Sequence, residues 1–409
     1  MAQRRQDKQQ PDFEERTRLP EGEMLAENII HEAADQLINP ERPRANVVGF
    51  GHGVKWRNNE PTGAAALLVF VEQKFDVPDA DLVPEQIAGL QTDVIPTGPI
   101  FAEQLRTEEL SRTLVRPQPD GVLVEPDQLR RPQRAVLHFR DQVVTDGMVQ
   151  TSQPLQIDVQ VLRKRVRPVE GGYSIGHFAI TAGTMATAVY DQLPGATVNP
   201  PSSGFGIPPR FYCLSNNHVL ANSNNAQPGD PIVQPGPIDG GTVPQDVVAR
   251  LDRFVVIQFD PPLPRNQHRN LVDAAVGVGE FDTLDREIYW QGYVRGWYPA
   301  TRLRVGDRVK KTGRTTNHTI GRVLATQATI DVNYGGTPSR VARFSNQIVT
   351  TNMSAGGDSG SLVLSMRDGS QPATEDNFAV GLLFAGSPQV TILNHFEFVR
   401  ALLRIEVHP

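Results

Sequence analysis

The hydrophobic and polar positions near the N-terminus repeat with a helical period. Apolar side chains stand at every fourth residue, at Leu25, Ile29, Ala33 and Leu37, and Pro40 follows them. This spacing predicts an amphipathic helix that ends before the proline. Two strand-like runs come next, "NVVGFGHGVKW" and "GAAALLVFVEQKF". We therefore predict disorder over residues 1–20 and a small α/β domain over residues 21–100.

The pattern changes further along the chain. Residues 101–170 are charged, contain prolines and are weakly periodic, so we interpret them as a connector. Over residues 171–409, short β-branched runs alternate with Gly and Pro turns, as in "ITAGTMATAVY" and "TIGRVLATQATIDVNY". This alternation predicts a mainly β domain, either a sandwich or a pair of barrels. The segment "NHFEFVRALLRIE" predicts a C-terminal helix.

Composition and charge narrow the class of protein. The 409 residues include 35 glycines and 33 prolines, which favours many turns and short strands. The net charge of −6 is too mild to indicate nucleic acid or an anionic membrane as a partner. Cys213 is the single cysteine, and the chain has no apolar leader and no long apolar stretch. We therefore expect a cytoplasmic protein without an intramolecular disulfide; the alternative is a secreted protein whose targeting segment has been removed.

The most informative stretch is "SAGGDSGSLVL" at residues 354–364. Taken alone, its serine, Ser359, is either a nucleophile or a residue of a surface turn, because Gly, Asp and Ser are common turn formers. A serine nucleophile needs a base that is itself oriented by a carboxylate. His218 in "YCLSNNHVLANSN" stands at the end of a predicted strand, although a lone histidine there is more often structural. Asp273 in "RNLVDAAVGVGEF" lies among small apolar residues and needs a partner if it is buried.

These three motifs resemble the trypsin-like serine peptidases of the chymotrypsin fold. His218, Asp273 and Ser359 follow the chain order of that family, and "LSNNHV", "DAAV" and "GGDSGS" are similar to its signatures. Further stretches, among them "SIGHFAITAGT", "IVQPGPIDGG" and "VKKTGRTTNHTIGRV", resemble the plant Narrow-leaf-type peptidases and their bacterial relatives. The resemblance implies two six-stranded antiparallel β-barrels over residues 171–409, with the site between them.

The resemblance also implies a role for each site residue. Ser359 would be the nucleophile, His218 its general base and Asp273 the carboxylate that orients the imidazole. The backbone N–H groups of Gly357 and Ser359 would form the oxyanion hole. A peptide or protein substrate would pair with the edge strand that contains Phe384, Ala385 and Gly386. Met353 would lie at the base of the primary pocket, which favours apolar residues before the cut.

The aspartate beside the proposed nucleophile raises the question of activation, because its charge must be neutralised if it is buried. Secreted relatives bury a new N-terminal ammonium against this aspartate, which is Asp358 here, but the chain lacks their usual mature start. We predict that backbone N–H groups or an internal side chain satisfy Asp358, and that the full-length protein is active.

Other signals are weaker. "GFGHG" at residues 49–53 lacks the spacing of a dinucleotide loop and indicates a strand with small residues on one face. "KKTGRTT" is not a phosphate loop, and no metal-binding motif is present, so we expect no metal and no cofactor. Self-association into a homo-oligomer stays open. The alternative function is a catalytically weak trypsin-like scaffold that binds proteins or regulates them.

Overall fold

The N-terminal region of the computed structural model forms two helices and five strands. The structure describes residues 12–42, 44, 46–58, 60–74, 82–102, 161–191, 211–280, 282–336, 338–367 and 376–407. The helices are α1 (Phe13–Arg16) and α2 (Glu27–Ile38). The strands are β1 (Val47–Arg57), β2 (Glu60–Val71), β3 (Gln86–Ile87), β4 (Leu90–Pro96) and β5 (Phe101–Ala102).

The predicted N-terminal helix is α2, and it packs on a sheet. Ala33 and Leu37 of α2 share a buried cluster with Phe50 of β1 and Leu67 and Val69 of β2. The opposite face of β1 and β2 contributes to another core, described below. The predictions for residues 1–11 and for most of the connector, residues 103–160, lie outside the described residues.

The middle of the chain forms a second region of short strands. They are β6 (Val169–Gly171), β7 (Ser174–His177), β8 (Gly183–Thr184), β9 (Ala188–Asp191), β10 (Phe211–Ser215), β11 (Pro231–Val233), β12 (Val247–Phe254), β13 (Ala275–Gly279), β14 (Leu284–Ile288), β15 (Gly292–Tyr293) and β16 (Gly296–Trp297). Helix α3 (Asn217–Leu220) follows β10 directly. Single 3-10 turns occur at Val161–Arg163, Pro237–Asp239, Arg265–Gln267 and Ala300–Arg302.

The C-terminal part contains a closed barrel. Its strands are β17 (Arg308–Gly313), β18 (Asn317–Asn333), β19 (Val341–Thr351), β20 (Leu362–Ser365), β21 (Phe378–Gly386) and β22 (Val390–His395). Antiparallel pairing runs β17–β20–β21–β22–β19–β18 and returns to β17, so the six strands form a ring. Helix α4 (Phe396–Leu403) and strand β23 (Ile405–Glu406) follow.

Seven strands from the middle of the chain, together with β23, form a second antiparallel sheet that packs against this ring. Its order is β23–β9–β10–β13–β12–β11–β7–β8, and β15–β14–β6 form a small separate sheet. A shared apolar cluster joins the two regions, with Leu214 and Val276 on one side and Leu364, Leu382 and Phe396 on the other. The prediction of a mainly β protein is confirmed, as is the C-terminal helix.

The N-terminal strands continue the sheet of the barrel. Strand β1 pairs antiparallel with β18, β2 pairs with β1, and β4 pairs parallel with β2. Val48, Leu68 and Phe70 share one buried cluster with Ile330 and Phe344 of the barrel. The division of the chain into domains at residues 100 and 170 stays a prediction.

Within the described residues, no helix is long and apolar enough to cross a membrane. No group of three or more His, Cys, Asp or Glu side chains in these parts of the chain could hold a metal ion.

Candidate active site

His218 and Asp273 are brought together by the strands β10 and β13, which are neighbours in the sheet. His218 lies in α3 immediately after β10, as its position at a predicted strand end suggested. Asp273 lies two residues before β13, although the small apolar residues around it favour a buried strand. Since the two strands are antiparallel, the end of β10 meets the start of β13. The register therefore places both side chains at one edge of the sheet.

The two side chains form a tight buried pair. His218 Nδ1 lies 2.6 Å from Asp273 Oδ2, and the backbone N–H of His218 donates to Asp273 Oδ1 at 3.1 Å. The side chains are only 1% and 0% exposed. Such a carboxylate holds one imidazole tautomer, with the proton on Nδ1 and the lone pair on Nε2. Among the described residues, Nε2 has no hydrogen-bond partner.

Further groups hold Asp273 in place. The Tyr334 hydroxyl donates to Asp273 Oδ2 at 2.7 Å. Asn216 Nδ2 donates to the backbone oxygen of Asp273, and Asn394 Oδ1 accepts from its backbone N–H. Burial, and then the charge of Asp273, raise the pKa of Tyr334 well above its usual value, so its hydroxyl remains a donor. The sequence reasoning missed Tyr334, because no motif marks this residue at the end of β18.

Ser359 lies in the loop before β20, in the barrel. Its hydroxyl donates to the backbone oxygen of Phe384 at 3.4 Å, and its own backbone oxygen accepts from Thr184 N at 2.7 Å. No hydrogen bond joins Ser359 to His218 among the described residues. The serine is 1% exposed. Ser359 is therefore not a surface-turn residue, because it is buried. It also lacks the hydrogen bond to the imidazole that a serine nucleophile would make.

The loop before Ser359 has the backbone that an oxyanion hole needs. Gly357 has φ +97°, and a Cβ there would stand 2.6 Å from Thr315 Oγ1 and 2.8 Å from Arg314 Nη1. Only glycine adopts this conformation without strain in so little space. Within the described chain, no acceptor bonds the backbone N–H of Gly357 or of Ser359. Both donors remain available for an anion.

Asp358 is satisfied from inside the protein, as predicted. Lys311 Nζ lies 3.1 Å from Asp358 Oδ2, and both side chains are fully buried. Thr316 Oγ1 donates to the same oxygen at 2.6 Å, while the backbone N–H groups of Thr315 and Ala355 donate to the carboxylate. The identity of Lys311 was missed. A signal existed, since alternation in β17 puts Lys311 on the inward face beside Val309 and Gly313.

The predicted substrate-binding residues lie in two places. Phe384, Ala385 and Gly386 form the end of β21 next to Ser359. Met353 instead belongs to an apolar cluster inside the barrel, with its sulfur beside Gly321. Two hydroxyl groups lie near it, because Ser354 Oγ and Thr391 Oγ1 are 2.6 Å apart. Cleavage after apolar residues therefore stays a prediction.

Three further titratable residues, His177, Cys213 and His318, have surroundings of their own. His177 Nε2 lies 3.1 Å from Asp230 Oδ2 at the end of β7. Burial raises the pKa of the Cys213 thiol, in the centre of β10, to about 12. Burial also lowers the pKa of His318. None of the three joins the pair formed by His218 and Asp273.

The comparisons with known proteins add three partial likenesses among solved structures. Thermobifida fusca protease A is 12% identical, with 58% of this chain and 97% of that chain covered and a TM-score of 0.37. The Nocardiopsis protease is 15% identical, covering 59% and 99%, with a TM-score of 0.36. Cellulomonas bogoriensis chymotrypsin is 14% identical, covering 59% and 98%, with a TM-score of 0.35. No protein-family model matches the sequence, and no curated protein matches it.

Proposed function

We propose that this protein is a serine endopeptidase that hydrolyses peptide bonds through an acyl-enzyme intermediate. The observation that carries the proposal is the buried His218–Asp273 pair, whose second imidazole nitrogen has no partner in the described residues. An imidazole with one nitrogen fixed by a carboxylate and the other free is suited to general-base work. The sequence motifs supply the finer claims, including the likeness to Narrow-leaf-type peptidases.

The chemistry divides into two steps. Ser359 Oγ transfers its proton to His218 Nε2 and attacks the substrate carbonyl carbon, and the resulting oxyanion accepts hydrogen bonds from the N–H groups of Gly357 and Ser359. The imidazolium then gives this proton to the departing amine as the peptide C–N bond breaks. Water, activated by the same histidine, hydrolyses the ester and regenerates Ser359.

The second candidate is the scaffold with little or no catalytic activity. The observation that favours it is the hydroxyl of Ser359, which is bonded to the Phe384 carbonyl and not to His218. To react, the Ser359 hydroxyl must leave the Phe384 carbonyl and turn toward His218 Nε2, and serine side chains can change between staggered rotamers. In the scaffold, Ser359 would keep its present bond and would not react.

Labelling with a small fluorophosphonate separates the two candidates. We expect the wild-type protein to be labelled and Ser359→Ala to be unlabelled, with peptide hydrolysis lowered by about 10⁴–10⁶-fold. Ser361→Ala is the matched control, because Ser361 is also buried in the same loop but bonds to the Asp358 carbonyl. This control should keep its label. Hydrolysis that persists in Ser359→Ala within a factor of about ten would exclude the mechanism.

A further inference from the structure

The end of β21 beside Ser359 already has a strand on its free edge. Strand β20 pairs with β21 only as far as Leu382. Beyond that point β5 takes the same edge, with Ala102 opposite Ala385 and Phe101 opposite Gly386 in antiparallel register. The residues predicted to pair with a substrate are therefore paired with another segment of this chain.

The direction of β5 is that of a peptide approaching the nucleophile. Because the pairing is antiparallel, the step from Phe101 to Ala102 runs alongside the step from Gly386 to Ala385. The next residue along this line in β21 is Phe384, whose carbonyl accepts from Ser359 Oγ. The C-terminal end of β5 thus points along β21 toward Ser359.

Apolar side chains and a backbone hydrogen bond to β18 also hold the segment in this position. Ile100 and Ala102 are 3% and 6% exposed and share an apolar cluster with Tyr334, Phe384 and Ala385. The backbone N–H of Asn333, at the end of β18, donates to the Ile100 oxygen at 2.9 Å. The segment therefore fills the space between β18 and the end of β21.

We propose that residues Ile100–Ala102 are an internal ligand of the substrate groove, bound as an added strand in the orientation of a substrate. The inference rests on the proposed peptidase function. A substrate with residues on the amino side of its cleaved bond must displace this segment, whereas a small reagent for Ser359 need not. A two-residue strand is short enough to leave, because so short a pairing is marginal by itself.

Substitution at Ala102 tests this role. Ala102→Asp puts an unpaired carboxylate into the apolar cluster and should release the segment. We expect KM for a tetrapeptide amide to fall about tenfold, because the open form becomes dominant. The rate of labelling by a small fluorophosphonate should change less than about twofold. Ile100→Val, which removes one methylene and keeps the side chain apolar, is the control and should resemble the wild type.

A free peptide strengthens the test. The hexapeptide with the sequence of residues 97–102, TGPIFA, should inhibit Ala102→Asp competitively, and a scrambled hexapeptide should not. Equal KM values in the wild type, Ala102→Asp and Ile100→Val, with normal labelling, would overturn the internal ligand but not the proposed peptidase function. Absence of labelling in all three would overturn the proposed function, and the internal ligand of a substrate groove with it.

Hydrogen exchange of the wild-type protein gives an answer that does not depend on a variant. Ser359 is labelled either with a peptidyl phosphonate carrying a four-residue arm or with a small phosphonate that has no arm. The amides of residues 98–102 should exchange faster with the peptidyl reagent only, because its arm takes their place on β21. Equal exchange in the two adducts would show that β5 is a permanent part of the fold.

Discussion

Asp358 carries a charge in the interior because Lys311 lies opposite it. The carboxylate and the ammonium are both fully buried, so neither can exchange its partner for water. Removing one member of such a pair leaves the other charge uncompensated and costs about 3–5 kcal/mol. The loop that contains Gly357 and Ser359 depends on this pair, since Asp358 lies between the two residues proposed as oxyanion-hole donors.

Lys311→Met should therefore lower both stability and reactivity. We expect the free energy of unfolding to fall by about 3–5 kcal/mol in urea titrations, and fluorophosphonate labelling to slow with it. Lys310→Met is the matched control, because Lys310 is the adjacent lysine but pairs with Asp376 near the surface. The free energy of unfolding of Lys310→Met should fall by no more than about 1 kcal/mol. Equal effects of the two substitutions would contradict a special role for Lys311.

Tyr334 supports the imidazole through Asp273. Tyr334→Phe removes one hydrogen bond to the carboxylate and keeps the ring, and such a bond to a charged group contributes about 1.5–3 kcal/mol. We expect kcat to fall at least tenfold while KM stays within a factor of about two. Tyr212→Phe is the control, since Tyr212 donates to the Asp191 carboxylate away from His218. A similar fall of kcat in both variants would assign the effect to general destabilisation.

At the scale of elements, strand β1 shows why small residues recur in "GFGHG". A Cβ at Gly49 would stand 2.4 Å from the backbone oxygen of Thr329, and one at Gly53 would stand 2.7 Å from that of Leu324. The interpretation as a strand with small residues on one face is thus confirmed. The glycines allow β1 to pair closely with β18, its antiparallel neighbour in the sheet and a strand of the barrel.

Gly49→Ala should destabilise the protein more than Gly51→Ala. At Gly49 the added Cβ meets backbone, whereas at Gly51 its nearest neighbour is the Ala328 side chain at 3.0 Å. Overpacking typically costs about 1–3 kcal/mol, and we expect the smaller cost where the added Cβ overlaps its neighbour less. Thermal unfolding of the two variants measures the difference. A larger loss for Gly51→Ala would show that the backbone contact at Gly49 is not the tightest point between β1 and β18.

At the scale of the whole molecule, residues 169–172, "VEGG", are part of the fold; they are the nearest match in this chain to the mature start of the secreted trypsin-like peptidases. In "VEGG", β6 spans Val169–Gly171 and pairs parallel with β14, and Val169 is fully buried. Lys311 already supplies the ammonium that Asp358 requires. After cleavage before this segment, the new N-terminus could reach Asp358 only if buried β6 left its sheet. Its ammonium would not be needed there, because Lys311 already pairs with Asp358.

We therefore expect the full-length chain to react without processing. Intact-mass measurement of the fluorophosphonate adduct should give the mass of the complete protein plus one label. Ser359→Ala, treated in the same way, should show the complete mass without a label. A label found only on a fragment that begins between residues 164 and 172 would identify the protein as a zymogen.

Local pattern determined much of this protein by itself. The apolar side chain at every fourth residue from Leu25 to Leu37 was sufficient to predict α2. Alternation of apolar and polar residues was sufficient to predict most strands. Both patterns reflect which face of an element is buried. The three motifs indicated His218, Asp273 and Ser359 as the residues to examine. They could not show that the Ser359 hydroxyl bonds to Phe384.

Tertiary structure alone decided which distant groups meet. Tyr334 reaches Asp273 across 61 residues and Lys311 reaches Asp358 across 47, and neither pair has a local signature. Strand β5 is only two residues long, too short for alternation to reveal, and its partner β21 is far along the chain. Such contacts form only when distant strands come together in the barrel, and β5 pairs with the part of β21 that β20 does not cover. A periodic pattern records which side of an element is buried, but not which partner covers it.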